Sequence, residues 1–262
     1  MLFVAAMLGV SWSLRERGRR PALLAAGCAL LAFLAKQTAL FWLPAVAVAA
    51  LLRDRRTGLW FAAATAAAIL AAIGIGQIAT DGWFSFYVFT MPSLHARVGD
   101  RWLGFWTEDL LPIAPLLVVA VAAIAATWRS GARAEALASL AWVGGGVGAS
   151  YASRLHVGGY DNVMLYGFVA ALAVAPAFAV TAASRRGRAV VHLLLLVQFV
   201  SLAVDLRHVD PGAPRVRFDP RAVLPSARHR RASEELLAFA RAQQGEVWLP
   251  FHGWLGPRAG KR

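Results

Sequence analysis

Long apolar runs alternate with short arginine clusters along the first 206 residues. Four clusters separate the runs, Arg15 to Arg20, Arg53 to Arg56, Arg129 to Arg133 and Arg185 to Arg188. An apolar run of about 20 residues is long enough to cross a bilayer as a helix. Short loops rich in lysine and arginine face the cytoplasm. The pattern therefore predicts an all-α polytopic transmembrane helix bundle over residues 1–206.

The lengths of the runs predict about seven spans after a truncated first helix at Met1 to Leu14. The run Pro21 to Leu52 is long enough for two short spans of about 16 residues each, hinged at Lys36-Gln37-Thr38. This hinge would bring Lys36 to the outer face. Residues Asp81 to Leu110 would form an external segment. The remaining predicted spans are Thr57 to Thr80, Leu111 to Trp128, Ala136 to Ser153, Val163 to Ala183 and Ala189 to Leu206.

Residues 207–262 are predicted to form a short external α/β tail. The tail is rich in arginine, but the charge rule weakens for long translocated segments, so the four short clusters decide the orientation. Ser233, followed by two glutamates, predicts a helix N-cap, with the helix running to about Gln243. Glu246 to Pro250 is predicted as a strand with no following partner. We expect the chain to be truncated at both ends.

Composition supports the membrane interpretation and excludes other classes. Hydrophobic residues make up 59% of the chain and charged residues only 16%, unlike a typical soluble domain. The net charge of +13 lies largely in the loops, so no nucleic-acid partner is expected. The single cysteine, Cys28, lies within an apolar run and is interpreted as a packing residue. No metal-ligand spacing or phosphate-binding loop is found, so no metal or cofactor is predicted.

Polar residues between the apolar runs are the candidates for a site. The stretch from Arg154 to Asn162 is costly to keep between two spans unless it lies in water or in a site. Lys36 is the best external candidate for a phosphate ligand, although a lysine at a helix end can also reach the headgroups. Glu108 and Asp109 are interpreted as first-turn acids of the following span.

Each candidate also has a structural interpretation. Gly158 and Gly159 can form a turn, and Asp161 or Asn162 can cap the next helix. His95 follows Pro92 in an aromatic segment and fits a structural role better than a catalytic one. The aromatic side chains of that segment fit an interfacial belt.

Four motifs in order carry a family resemblance, namely Leu34 to Leu40, Asp81 to Phe89 with Pro92 and His95, His156 to Asn162, and Gly245 to Gly253. The chain resembles the later part of bacterial integral-membrane glycosyltransferases of the C-type superfamily, which includes protein mannosyltransferases and aminoarabinose transferases. The resemblance implies transfer of a sugar from a polyprenyl-phosphate carrier to an acceptor at the outer face of the cytoplasmic membrane.

The resemblance also implies the site. The expected substrate-binding residues are Lys36, His95, Arg154, His156, Tyr160, Asp161 and Asn162. The acidic catalytic base is expected in an external loop that precedes this chain, so no catalytic residue is assigned and the chain alone is expected to be inactive. The alternative function is a transporter or lipid flippase. The scarcity of charges within the predicted spans disfavours an ion-coupled transporter.

Overall fold

The computed structural model describes residues 2–157, 161–181, 184–210, 213–216, 226–245, 247 and 255–261. The chain divides into two units, Met1–Ser201 and Leu202–Arg262. The first unit is built of helices: α1 Leu2–Ser13, α2 Arg19–Ala35, α3 Leu43–Arg53, α4 Arg55–Ala79, α5 over residues 83–93, α6 Arg101–Arg129, α7 Arg133–Arg154, α8 Leu165–Thr181 and α9 Arg185–Ala203.

The hinge predicted at residues 36–38 is confirmed. Lys36 ends α2 in an extended conformation, and its backbone N–H still donates to Ala32 O. A 3₁₀ turn, Gln37–Phe41, then leads into α3, which has Pro44 in its first turn. Proline suits this position because the first turn of a helix leaves its N–H groups without intrahelical partners. The apolar run is therefore divided into two helices by one turn.

The other end of these helices is fixed by a small network around Asp54. The Asp54 carboxylate caps α4 by accepting from Thr57 N at 2.8 Å. The Thr57 hydroxyl also donates to Asp54 and accepts from Gly18 N at 2.8 Å. The side-chain and backbone hydrogen bonds from Thr57 lower the pKa of Asp54. The starts of α2 and α4 and the end of α3 therefore meet at one end of the unit.

Basic residues gather at this end, which we call the arginine end. Arg53 at the end of α3 forms an ion pair with Glu135 at the start of α7, with 2.8 Å between Nε and Oε2. The Arg19 guanidinium lies 4.8 Å from the centre of the Trp60 ring. Three of the four predicted clusters thus reach the same end. We call the opposite end, which carries Lys36, the lysine end.

The core depends on two glycines in α7. A Cβ atom at Gly145 would overlap Ala45 Cβ, and one at Gly146 would overlap Ala170 Cβ. Neither overlap is physically possible, so glycine is what allows α7 to approach α3 and α8 this closely. Trp42 is fully buried at this crossing, and its indole Nε1 donates to Trp142 O at 2.9 Å. Close approach through small residues is typical of helices that pack in lipid.

Two helices in the described part of the chain, α4 and α6, are long and apolar enough to cross a membrane. Their outward side chains are largely apolar; Ile78 on α4, for example, is 83% exposed. These helices support a membrane location. The multi-pass arrangement stays a prediction, because the remaining apolar helices are shorter or more polar.

One predicted span boundary is not tested by the structure, and another is wrong. The segment from Asp81 to Leu110 was expected to lie outside the spans, and this stays a prediction. Helix α6 begins at Arg101, but π turns over Phe105–Asp109, a bend at Leu110 and a 3₁₀ turn at Leu111–Ile113 precede its regular part, Ala114–Arg129. The final span was expected to end at Leu206, whereas α9 ends at Ala203 and strand β1, Val204–Asp210, follows.

The second unit combines a hairpin with helices. Strand β1 pairs antiparallel with β2, Ala213–Val216. Helix α10, Ala227–Ala242, is capped by Ser226, whose hydroxyl accepts from His229 N at 3.2 Å. The N-cap predicted at Ser233 is therefore wrong, because Ser233 lies inside this helix. Helix α11 is Leu255–Arg258. Most of the strand predicted at residues 246–250 lies outside the described residues.

The two glycine environments in α7 give a matched test of the core. Gly146→Ala should lower the free energy of unfolding by about 1 to 3 kcal/mol, because the new methyl group would overpack the contact with α8. A methyl group at Gly144 would meet nothing within 4 Å, so Gly144→Ala should be neutral or stabilising by up to about 1 kcal/mol. Thermal unfolding of both variants in detergent decides the matter. Equal melting temperatures would contradict the packing described here.

Candidate functional site

A cavity of about 600 Å³ opens at the lysine end of the first unit. Residues from α2, the 3₁₀ turn, α5, the following loop and the end of α7 line it. Its polar lining consists of Lys36, Gln37, Thr38, Ser93, His95, Arg97, Ser153 and His156. Two cations and two imidazoles in one cavity favour an anionic or phosphate-bearing ligand.

Tyr166 at the start of α8 positions the Lys36 side of the cavity. The Tyr166 hydroxyl forms a hydrogen bond with the Thr38 hydroxyl. The Lys36 Nζ atom lies 5.1 Å from the centre of the Tyr166 ring, within the range of a cation–π interaction. Burial lowers the pKa of Lys36, since partial removal from water disfavours its charged form. A bound anion would favour the charged form again.

Backbone pairing holds the opposite side. Val98 N donates to Leu155 O, and Val157 N donates to Ala96 O, both at 2.9 Å. This short antiparallel bridge joins the loop after α5 to the loop after α7 and sets Arg97 opposite His156. The His156 Nδ1 atom is buried and has no hydrogen-bond partner among the described residues. Buried polar atoms almost always have a partner, so this nitrogen is available to a ligand or to water.

Arg154 was predicted as a substrate-binding cation, but the structure places it outside the lining of the cavity. Its guanidinium forms two hydrogen bonds to Asp109, from Nε at 2.7 Å and from Nη2 at 3.2 Å. The side chain of Asp109 is only 3% exposed. The interpretation of Asp109 as a first-turn acid is also wrong, since this carboxylate lies within α6 and neutralises Arg154. A buried pair of this kind joins α6 to α7.

Of the six other predicted site residues, three line the cavity and three have side chains that the structure does not describe. Lys36, His95 and His156 come together in the cavity, with His95 exposed at its edge. Tyr160 lies outside the described residues. Asp161 and Asn162 begin a 3₁₀ turn, Asp161–Met164, and their side chains are likewise outside what the structure describes. Thr38 and Ser153 were not predicted as site residues, because a lone hydroxyl in an apolar helix has no distinctive sequence signal.

An apolar groove of about 460 Å³ adjoins the cavity. It runs between α3 and α4, with walls that include Pro44, Phe61 and Ile69. Leu40 and Phe89 line both the groove and the cavity. The polar cavity and the apolar groove are therefore neighbours, an arrangement suited to an amphipathic ligand with a polar head and a hydrocarbon chain.

Comparison with known proteins gives no further guidance, since no protein-family model, curated protein or solved structure matches the chain. Within the described residues, no group of three or more histidine, cysteine or acidic side chains is placed to hold a metal ion. The chemistry of the site is therefore argued from its own lining.

The Arg154–Asp109 pair can be tested against an adjacent acid. Asp109→Asn should destabilise the protein by about 3 kcal/mol, because it removes the carboxylate that pairs with the buried Arg154 guanidinium. Glu108 is exposed and lies 3.8 Å from Arg101, so Glu108→Gln should change stability by less than about 1 kcal/mol. Chemical unfolding monitored by circular dichroism measures both. Similar losses in the two variants would show that Asp109 is not the buried partner described here.

Proposed function

We propose that the protein is a membrane glycosyltransferase, or the carrier-binding part of one, that uses a sugar linked to polyprenyl phosphate. The single observation that carries this proposal is that the cationic cavity and the apolar groove lie side by side and share Leu40 and Phe89. A polyprenyl-phosphate sugar has the same two parts, an anionic head and a long hydrocarbon chain. The family resemblance of the sequence points to the same class of substrate.

In this proposal the phosphate lies against Lys36, with Arg97 as a second cation across the cavity. A charge-assisted hydrogen bond from either side chain is stronger than a neutral one. The buried His156 Nδ1 is available to the phosphate or to a sugar hydroxyl, depending on its protonation. The first isoprene units pass Leu40 and Phe89 into the groove. Binding of the chain there contributes through burial of apolar surface.

The described residues fit carrier binding better than proton transfer. No carboxylate lines the described part of the cavity, and the Asp109 carboxylate in α6 is paired with Arg154. Glycosyl transfer needs a base that accepts the proton of the acceptor group. We therefore assign Lys36, Arg97 and His156 to donor binding and assign none of them the role of base.

Binding of the carrier tests this assignment. Lys36→Ala should weaken the binding of a polyprenyl phosphate by about 1.5 to 3 kcal/mol, because a charge-assisted hydrogen bond is lost. Lys36→Arg should recover part of the affinity. Arg101→Gln is a matched control, since Arg101 is a cation near the same end but does not line the cavity. The measurement is titration of the purified chain in detergent with the lipid phosphate.

The outcomes of these measurements distinguish a glycosyltransferase from a lipid flippase. Unchanged affinity in Lys36→Ala would return Lys36 to a role at the headgroup interface. An assay with a panel of polyprenyl-phosphate sugars should show carrier binding without sugar transfer by this chain alone. Movement of the carrier across vesicle membranes, with the same dependence on Lys36, would instead favour the lipid flippase.

The proposal also fixes an orientation in the bacterial inner membrane, with the arginine end in the cytoplasm and the lysine end outside. In a Cys28→Ser background, a cysteine replacing Leu94, which is 74% exposed, should react with an impermeant maleimide on intact cells. A cysteine replacing Arg55 at the arginine end should react only after permeabilisation. The reverse pattern would overturn the orientation.

A further inference from the structure

A second cavity, of about 270 Å³, lies at the arginine end of the first unit. Residues of α1, α3, α6, α7 and α8, with the turn after α1, enclose it. Its polar lining is Ser11, Arg15, Arg53, Thr127, Ser139 and Trp142. The remaining walls are apolar. Nothing in the proposed glycosyl transfer uses this cavity, because Lys36 and the groove lie at the opposite end.

Among the described residues, the charged side chains that line this cavity are both arginines. The Arg53 Nε donates to Glu135, but a guanidinium has five N–H donors, so others can bind a second anion. The Arg15 guanidinium lies 5.5 Å from the centre of the Trp12 ring. The surroundings are also positive, with nine arginines and three acids in residues 15–20, 53–56 and 129–135. The electrostatic potential of this end therefore favours anions.

Trp142 gives an independent reason to expect an acceptor here. The residue is only 7% exposed, and its indole Nε1 is buried without an acceptor in the described part of the chain. An indole N–H can only donate, as can a guanidinium. A cavity with two arginines and an unpartnered buried donor in its lining therefore calls for a ligand rich in acceptor oxygens.

We infer that this cavity binds a phosphate ester, held by Arg15 and Arg53. The ester can belong to the headgroup of an anionic phospholipid or to a soluble molecule, since both present the same oxygens. The apolar walls, including Leu14 and Val174, accommodate the carbon atoms next to the phosphate. The site is separate from the carrier site and adds a second, anion-specific ligand to the protein.

Calorimetric titration of the purified full chain in detergent tests this inference with three soluble probes. The probes are dihexanoyl phosphatidylglycerol, its zwitterionic phosphatidylcholine analogue and glycerol 3-phosphate. Phosphatidylglycerol or glycerol 3-phosphate should bind saturably, and at least tenfold more tightly than phosphatidylcholine. Arg15→Gln and Arg53→Gln should each weaken that binding about tenfold or more, as expected for loss of a charge-assisted hydrogen bond.

Three further variants test whether binding depends on the cavity itself, on the positive charge around it or on the ion pair between Arg53 and Glu135. Arg56→Gln removes a neighbouring charge that does not line the cavity and should change affinity less than threefold. Glu135→Gln breaks the same ion pair as Arg53→Gln but should leave phosphate binding unchanged or tighter, because it removes a nearby negative charge. Trp142→Phe keeps an aromatic ring and removes the indole donor, so it should weaken binding.

The result also identifies the source of the phosphate. Binding of phosphatidylglycerol alone assigns the site to a lipid headgroup, and binding of glycerol 3-phosphate alone assigns it to a soluble ester. Binding of both assigns it to the phosphate group itself. The inference is overturned if neither anion binds, if phosphatidylcholine binds equally well, or if Arg56→Gln weakens binding as much as Arg53→Gln does.

Discussion

The close approach of α7 to α3 and α8 at Gly145 and Gly146 is the constraint on which the first unit depends. Because neither position has room for a Cβ atom, the three helices fit together only with glycine there. Their contact buries Trp42, just after the 3₁₀ turn, and places Tyr166 beside Thr38. Tyr166 in turn lies under the Lys36 ammonium. Helix packing thus fixes the position of the main cation of the proposed carrier site.

A second constraint is that buried polar groups need partners. The Leu116 N–H in α6 donates to the side-chain oxygen of Gln198 at 3.1 Å. Gln198 also donates to Pro112 O at 2.6 Å, so one side-chain amide is the partner of a backbone donor and a backbone acceptor in α6. This bond joins α9 to α6, just as Asp109 and Arg154 join α6 to α7. The start of α6 is therefore held beside the loop that carries His156.

The parts of this arrangement that could be predicted are the local ones. Run length and the position of Lys36 were enough to divide residues 21–52 into two helices, because a polar break in an apolar run is visible in sequence. The burial of Asp109 could not be predicted, since it depends on pairing with Arg154, 45 residues later in the chain. Because Arg154 pairs with Asp109, its side chain does not line the cavity as the sequence had predicted. His156 was a candidate from the sequence, but only the backbone pairing of the two loops sets Arg97 opposite it.

The environment of Lys36 explains why its cavity suits an anion better than a neutral ligand. Burial disfavours the charged ammonium, and the Tyr166 ring beside it contributes a cation–π contact of about 0.5 to 2 kcal/mol. A bound anion would compensate further for the cost of burying this charge, and the same partial burial would strengthen its attraction by lowering the local dielectric constant. A neutral sugar supplies hydrogen bonds but no such compensation. In the proposed site, selectivity therefore comes from binding of the carrier phosphate. The sugar makes weaker hydrogen bonds that depend on geometry, such as one with His156.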